Sequence, residues 1–130
     1  MTHDIKSRAH TTILSGNRLY DGMANAASGC RAGSSSLAVD LPNGGMAAIS
    51  GNQIVQGAAS QNYKMIDYGE EGLYNNTNNT LTVSDNNFTS TGTPSATAIY
   101  DPYCVTAQLS GNTFSGITTV VNPANCALYQ

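Results

Sequence analysis

Tryptophan is absent from the 130-residue chain, phenylalanine occurs twice, and only five basic and eight acidic residues are present. Lys and Glu together number four, although these two residue types usually solvate the outer faces of helices. This scarcity excludes a helical bundle. Uncharged residues carry the polarity of the chain, since Gly, Asn, Ser and Thr make up 54 of its residues. The length allows a single domain, 1–130, with a modest core.

Signals for membranes, nucleic acid and zinc are also missing. No apolar run approaches the roughly 18 residues of a membrane-spanning helix, and the first residues, MTHDIKSR, lack the apolar segment of a signal peptide. A net charge of -3 argues against a nucleic-acid partner. The three cysteines, Cys30, Cys104 and Cys126, show no C-x-x-C spacing, so we expect no zinc site.

A repeat runs through the whole chain. Each copy reads apolar, Ser, Gly or Asp, Asn, any residue, apolar, and the four copies centre on Asn17, Asn52, Asn86 and Asn112. The apolar position three residues before the Asn is filled by Leu14, Ile49, Val83 and Leu109, and the one two residues after it by Leu19, Ile54, Phe88 and Phe114. Gly and Asn tolerate the backbone of a sharp corner. The repeat therefore predicts stacked coils, with these two apolar columns in the core and an asparagine ladder at about 4.8 Å spacing.

A third strand per coil is predicted from a second set of similar segments. These are 37–40, 64–67, 98–101 and 119–122, each an apolar or β-branched run that ends in Asp or Asn, and 4–9 is expected to be the same strand in the first coil. The pattern predicts four full coils and part of a fifth. Cys104 and Cys126 follow the last two segments closely, so they can stack in neighbouring coils, either as a disulfide or as two thiols.

The asparagine corners and the strings DIKSRA (4–9), VDLPNGG (39–45) and MIDYG (65–69) resemble right-handed parallel β-helix proteins of the pectate-lyase-like superfamily. The resemblance covers about residues 3–126 and implies an all-β, right-handed parallel β-helix. It implies no single activity, because that superfamily contains lyases, hydrolases, esterases, epimerases and phage tailspikes. Its members usually have more coils and an end cap, so the chain resembles the C-terminal part of a longer helix. The resemblance also implies extracytoplasmic parent proteins.

The third-strand column carries the candidate chemistry. We predict catalytic roles for Lys6, Arg8, Asp40 and Asp67 and substrate-binding roles for Asp101, Tyr68, Tyr100 and Tyr103. Adjacent coils would hold Asp40 and Asp67 about 5 Å apart, a separation that suits a pair of catalytic carboxyl groups. The alternative is that Asp and Asn simply form the turns that end these strands. The Glu70–Glu71 pair is expected at the tip of a solvated loop.

No metal site or cofactor is predicted from the residues themselves. His3 and His10 lie near the first coil but lack a third ligand. Calcium enters only through the resemblance, because related lyases carry acidic calcium ligands and an Arg or Lys base on the corresponding strand face.

Three functions from different classes stay open at this point. The first is recognition of a polymeric carbohydrate along the strand face, the second is a structural module that assembles with itself, and the third is a polysaccharide lyase. Because the chain starts inside a coil, its first strands would present unpaired edges. We therefore expect a homo-oligomer, most simply a two-fold dimer through the N-terminal coil.

Overall fold

The computed structural model describes residues 2–23, 35–73, 78–92, 95–105 and 107–124. Its thirteen strands form three parallel sheets. Sheet A contains β1 (Thr2–Lys6), β4 (Ser35–Leu41), β7 (Lys64–Tyr68), β10 (Thr97–Tyr100) and β13 (Thr119–Asn122). Sheet B contains β2 (Thr11–Ser15), β5 (Met46–Ser50), β8 (Thr80–Ser84) and β11 (Ala107–Ser110), and sheet C contains β3 (Arg18–Asp21), β6 (Gln53–Gln56), β9 (Asn87–Ser90) and β12 (Thr113–Ser115).

The chain visits sheets A, B and C in turn, so every three strands complete one coil. Four coils are complete and β13 begins a fifth, which confirms the predicted all-β parallel β-helix and its number of coils. All pairings between neighbouring coils are parallel and in register across sheets B and C. Among the described residues, no helix has the length and apolarity that a membrane crossing requires.

The asparagine ladder stands at the corner between sheets B and C. The side-chain amides of Asn17, Asn52 and Asn86 each donate to the Oδ1 atom of the Asn in the next coil, at 3.0, 2.9 and 3.0 Å. The backbone N–H of the same three residues donates to the same oxygen at 2.8, 2.9 and 3.0 Å. Each Oδ1 thus accepts two hydrogen bonds from the preceding coil, and the predicted ladder is confirmed.

Left-handed backbone makes this corner possible. The residue before each ladder Asn has a positive φ, which is 68° at Gly16, 64° at Gly51, 55° at Asp85 and 65° at Gly111. Glycine adopts this region without a Cβ clash, and Asp is one of the few other residues that tolerate it. The Gly-or-Asp position of the repeat is therefore explained by backbone conformation.

Three apolar columns fill the interior. Ile49, Val83, Ile54 and Phe88 are all buried, as the repeat predicts. The third column comes from sheet A, where Val39, Ile66 and Ile99 are in register and fully buried. The end coils differ, since Leu14 and Leu109 are only partly buried and Phe114 is 39% exposed.

The exposure of Phe114 corrects its assignment to the core. Its ring stacks on that of Phe88 with centroids 5.3 Å apart. Strand β12 is the last strand of sheet C in the described part of the chain, and no further strand of that sheet covers the outer side of the ring there.

The register of sheet A also differs from the predicted alignment. Asp67 pairs with Asp40 in one direction, as expected, but with Tyr100 in the other, instead of Asp101. In the first coil Lys6, which lies within the expected strand 4–9, is opposite Asp40. Side chains alternate between the two faces of a strand, so placing Ile99 in the interior fixes Tyr100 on the outer face.

We expect Asn86→Ala to destabilise the protein by about 3 kcal/mol, because the buried amide groups of Asn52 would lose their acceptor. Asn17 is the matched control. It lies at the first rung, where the ladder needs its side chain only as a donor, so Asn17→Ala should cost about 1 kcal/mol. Urea unfolding measures both. Equal losses for the two variants would contradict a ladder that acts through buried acceptors.

Candidate functional site

The outer face of sheet A gathers most of the charge of the protein. Alternation along the strands places Lys6, Asp40, Asp67 and Tyr100 in one register column on this face, because their neighbours Val39, Ile66 and Ile99 pack into the core. The turn after β7 adds Glu70 and Glu71. Seven of the thirteen Lys, Arg, Asp and Glu residues are joined by ion pairs here, namely Lys6, Arg8, Asp40, Lys64, Asp67, Glu70 and Glu71.

The first of two ion-pair clusters centres on Asp40 and Glu71. The ammonium of Lys6 lies 2.7 Å from Asp40 Oδ2 and 3.8 Å from Glu71 Oε1. Arg8 Nη1 lies 2.7 Å from Glu71 Oε2 and donates to Asn43 Oδ1 at 2.8 Å. Arg8 and Glu71 are each about half exposed.

Asp40 is the buried member of this cluster. Only 6% of its side chain is exposed, and His3 Nε2 approaches its Oδ2 atom at 3.5 Å. The hydrogen bond from Arg8 lowers the pKa of Glu71. In this cluster Asp40 is buried, whereas Arg8 and Glu71 are half exposed.

The second cluster is built around Lys64, at the start of β7. Its ammonium lies 2.9 Å from Asp67 Oδ2 and 2.7 Å from Glu70 Oε2. The same nitrogen lies 4.0 Å from the centroid of the Tyr100 ring, within range of a cation–π interaction. The side chains of Lys64 and Asp67 are 9% and 0% exposed, whereas that of Glu70 is 52% exposed.

Burial and hydrogen bonding shift the pKa values of Asp67 and Glu70 in opposite directions. Burial, together with a hydrogen bond to Glu70, raises the pKa of Asp67 to about 7. Hydrogen bonds from Asp67 and Lys64 lower the pKa of Glu70. Burial alone would lower the pKa of Lys64, but its hydrogen bonds to Glu70 and Asp67 outweigh burial and raise it. Near neutral pH, Asp67 thus holds a proton for much of the time while Glu70 is a carboxylate.

Some of the eight predicted site residues lie on the outer face of sheet A, and others lie in the interior. Lys6, Arg8, Asp40 and Asp67 do meet on the outer face of sheet A. Asp40 and Asp67 are register neighbours, but each is engaged by a different lysine, so they belong to separate clusters. Of the four proposed substrate-binding residues, Tyr100 lies half-buried beneath Lys64 and Tyr103 is 54% exposed.

Tyr68 and Asp101 are placed in the interior. Both are fully buried, and the Tyr68 hydroxyl donates a hydrogen bond to the carbonyl oxygen of Gly45. Burial, and secondarily the charge of Asp101, raise the pKa of Tyr68. Neither side chain is therefore open to a ligand that binds the outer face.

Three site residues escaped the sequence analysis: Lys64, Glu70 and Glu71. Lys64 was included in an apolar run, and the two glutamates were expected at a solvated loop tip. The turn instead folds back against sheet A, where Glu71 N donates to the carbonyl oxygen of Pro42 at 2.9 Å. The spacing of Lys64 and Asp67 gave no signal for this cluster, because side chains three residues apart on a strand are expected on opposite faces.

No metal centre is formed in the described ranges, since no group of three or more His, Cys, Asp and Glu side chains could hold an ion there. Cys104 is disulfide-bonded. Cys30 and Cys126 both lie outside the described residues, so a disulfide between Cys104 and Cys126 stays one of the alternatives that the sequence leaves open.

Comparison with known proteins identifies no relative. No protein-family model, curated protein or solved structure matches the chain.

We expect Arg8→Ala to raise the pKa of Glu71 towards its ordinary value of about 4.5, because the guanidinium hydrogen bond that stabilises the carboxylate is lost. Carbon-detected NMR titration of the Glu71 carboxyl group measures the change. Arg18→Ala, which removes an exposed cation from sheet C, is the control. An unchanged Glu71 pKa in Arg8→Ala would contradict the ion pair.

Proposed function

We propose that this protein is a right-handed parallel β-helix of the pectate-lyase-like type that recognises a polymeric carbohydrate along the outer face of sheet A. The observation that carries the proposal is the gathering of seven of the thirteen charged residues on that one face. The right hand is inferred because connections between parallel strands of one sheet almost always have it.

The dimensions of sheet A suit an extended polymer. Its five strands span about 19 Å at the spacing of parallel strands, which accommodates several sugar rings in a row. The asparagine ladder and the in-register pairing keep the face rigid, so little conformational freedom is lost when a chain binds.

The exposed groups of this face also suit a sugar. Hydroxyl groups both donate and accept hydrogen bonds, and the half-exposed Arg8 and Glu71 offer one group of each kind side by side. Tyr103 supplies an exposed aromatic ring beside the turn that carries Glu70 and Glu71, with its Cδ2 atom 3.5 Å from the Cβ position that a side chain at Gly69 would occupy. An apolar ring beside a pair of polar groups is a common way to hold the two kinds of surface on a sugar.

Lyase chemistry gains less support than binding. A base that removes a proton must itself be unprotonated, but Lys6 and Arg8 are each ion-paired with carboxylates. The cations of the site are thus largely neutralised by neighbouring acids, and the face carries no excess of positive charge that would select a uronate polymer.

We expect the protein to bind neutral oligosaccharides, with Tyr103→Ala and Glu71→Gln each weakening the affinity about tenfold, the equivalent of about 1.4 kcal/mol. Isothermal titration calorimetry with cellohexaose, xylohexaose and hexagalacturonate tests neutral and acidic chains together. Arg18→Ala on sheet C is the matched control and should bind normally. Failure of all three oligosaccharides to bind, or equal binding by all variants, would remove the proposal.

Self-association is the second candidate, and an observation on the outer face of sheet B favours it. On the outer face of sheet B, Ile13 and Met46 are 71% and 46% exposed, and both line a shallow depression of about 210 Å³. Ile13 belongs to β2, the edge strand of that sheet. We infer that a second copy of the chain covers this apolar pair, as a two-fold contact in which Ile13 of each copy meets the depression of the other.

Light scattering at micromolar concentration should give the mass of two chains, and Ile13→Lys should restore the mass of one, because a charge cannot enter an apolar contact without cost. Val120→Lys is the control, since Val120 is also exposed but lies on β13 in the last coil. A wild-type mass of one chain contradicts the dimer.

A further inference from the structure

The amine of Lys64 is held against a carboxyl group with little access to water. Only 9% of the Lys64 side chain and none of the Asp67 side chain is exposed, and the two are 2.9 Å apart from Nζ to Oδ2. The Tyr100 ring covers the ammonium at 4.0 Å from its centroid. Burying an ammonium and an ionisable carboxyl group is costly, because both groups lose hydration. The arrangement therefore calls for an explanation beyond stability.

Amide formation between an amine and a carboxylic acid needs three things besides contact. The acid must carry its proton, because a carboxylate is a poor acceptor of a nucleophile. A second group must take protons from the amine, and water must be kept away because it reverses the reaction. Burial raises the pKa of Asp67 to about 7, which meets the first need. The carboxylate of Glu70, 2.7 Å from the same nitrogen, meets the second, and the exclusion of solvent from Lys64 and Asp67 meets the third.

We propose that Lys64 and Asp67 join in an intramolecular isopeptide bond, with Glu70 as the proton acceptor. Glu70 first takes one proton from the ammonium of Lys64, and the free amine attacks Cγ of Asp67. A new bond between Nζ and Cγ forms, the bond from Cγ to the hydroxyl oxygen breaks, and one water molecule leaves. A second proton passes from the nitrogen to the departing hydroxyl through Glu70, which ends protonated and then returns its proton to solvent.

The ion pairs that hold Lys64 also make its ammonium reluctant to lose a proton, so the reaction is slow. Slowness does not prevent the product from accumulating, because the released water escapes and the buried amide is protected from hydrolysis. Raising the pH speeds the reaction until Asp67 itself loses its proton. The bond would tie the start of β7 to the residue before the turn that carries Glu70 and Glu71, and so fix that edge of the outer face.

The pair formed by Lys6 and Asp40 is an internal comparison. Its atoms are closer, at 2.7 Å, but the Lys6 side chain is 36% exposed and Glu71 Oε1 is 3.8 Å from the ammonium. Water reaches this amine, and the second carboxylate is beyond hydrogen-bond distance. No bond is expected between Lys6 and Asp40.

Intact mass spectrometry of the folded, then reduced and denatured, chain tests the proposal. We expect a mass lower than that calculated from the sequence by about 18 Da, the mass of one water molecule. Lys64→Arg keeps the charge but cannot form the bond under the same conditions, so it should show the full calculated mass. Wild-type protein that retains its full mass after prolonged incubation at about pH 7 overturns the proposal, whether or not any variant folds.

Loss of water elsewhere is distinguished by two further measurements. Asp21-Gly22 can lose water by closing a succinimide ring, but that loss would persist in Lys64→Arg and would therefore count against the isopeptide. Trypsin should fail to cut the denatured wild-type chain after Lys64 while still cutting after Lys6. Cleavage after both residues overturns the proposal. Glu70→Gln should slow the loss of water at least tenfold, and an unchanged rate would exclude the role of Glu70.

Discussion

In-register stacking of coils is the constraint on which the rest of this structure depends. Once the amide of Asn52 has bonded to Oδ1 of Asn86, the corner of one coil lies directly over the corner of the next. The flanking residues must then coincide as well, so Ile49 lies over Val83 and Ile54 over Phe88. Each rung supports its neighbours, because a buried amide that lost its partner would pay the full cost of desolvation.

Rigid stacking leaves the outer faces free to differ. The interior requires only apolar columns and the corner requires only Gly or Asp before Asn, so the outward positions of the three sheets can vary. In this chain the outer faces of sheets A and B differ strongly in charge. Sheet A carries two ion-pair clusters, whereas the described outward positions around Ile13 and Met46 on sheet B are Thr, Ala and other uncharged residues. This asymmetry is the basis of the two proposals, of a polar ligand on sheet A and of a second copy of the chain on sheet B.

The fold was predictable from the sequence because its determinants repeat. A single Asn proves nothing, but four copies with the same apolar flanks define the coil, its corner and two of its inner columns. The third column was located with an error of one residue in β10, because Tyr100 and Asp101 both fit a strand that ends before a turn. Packing of the core determines which of the two is paired with Asp67. Because Ile99 occupies the inner column, its neighbour Tyr100 must point to the outer face.

The candidate site was only half predictable for a related reason. Lys6, Asp40 and Asp67 follow from the register of the strands, which the repeat determines. Glu70 and Glu71 belong to a turn, and where a turn folds depends on contacts such as the hydrogen bond from Glu71 to Pro42 that no repeat specifies. Tyr68 is the opposite case. A tyrosine beside an acidic residue is typical of a binding surface, but the alternation of side chains along β7 places Tyr68 in the interior.

Buried ion pairs in a protein with so few charges also bear on the proposed function. Replacing a buried pair with apolar residues often leaves stability unchanged or improves it, and this fold has a core of Ile, Val and Leu columns that could extend outward at little cost. Lys64 and Asp67 lie on the same strand of sheet A, so the contact between their side chains does not join one coil to the next; the parallel pairing of β7 with β4 and β10 does that. Fixed charges on a rigid frame lose little entropy when a ligand or a reaction uses them. The placement of these charges on one face therefore supports the proposals of ligand binding and of bond formation at that face.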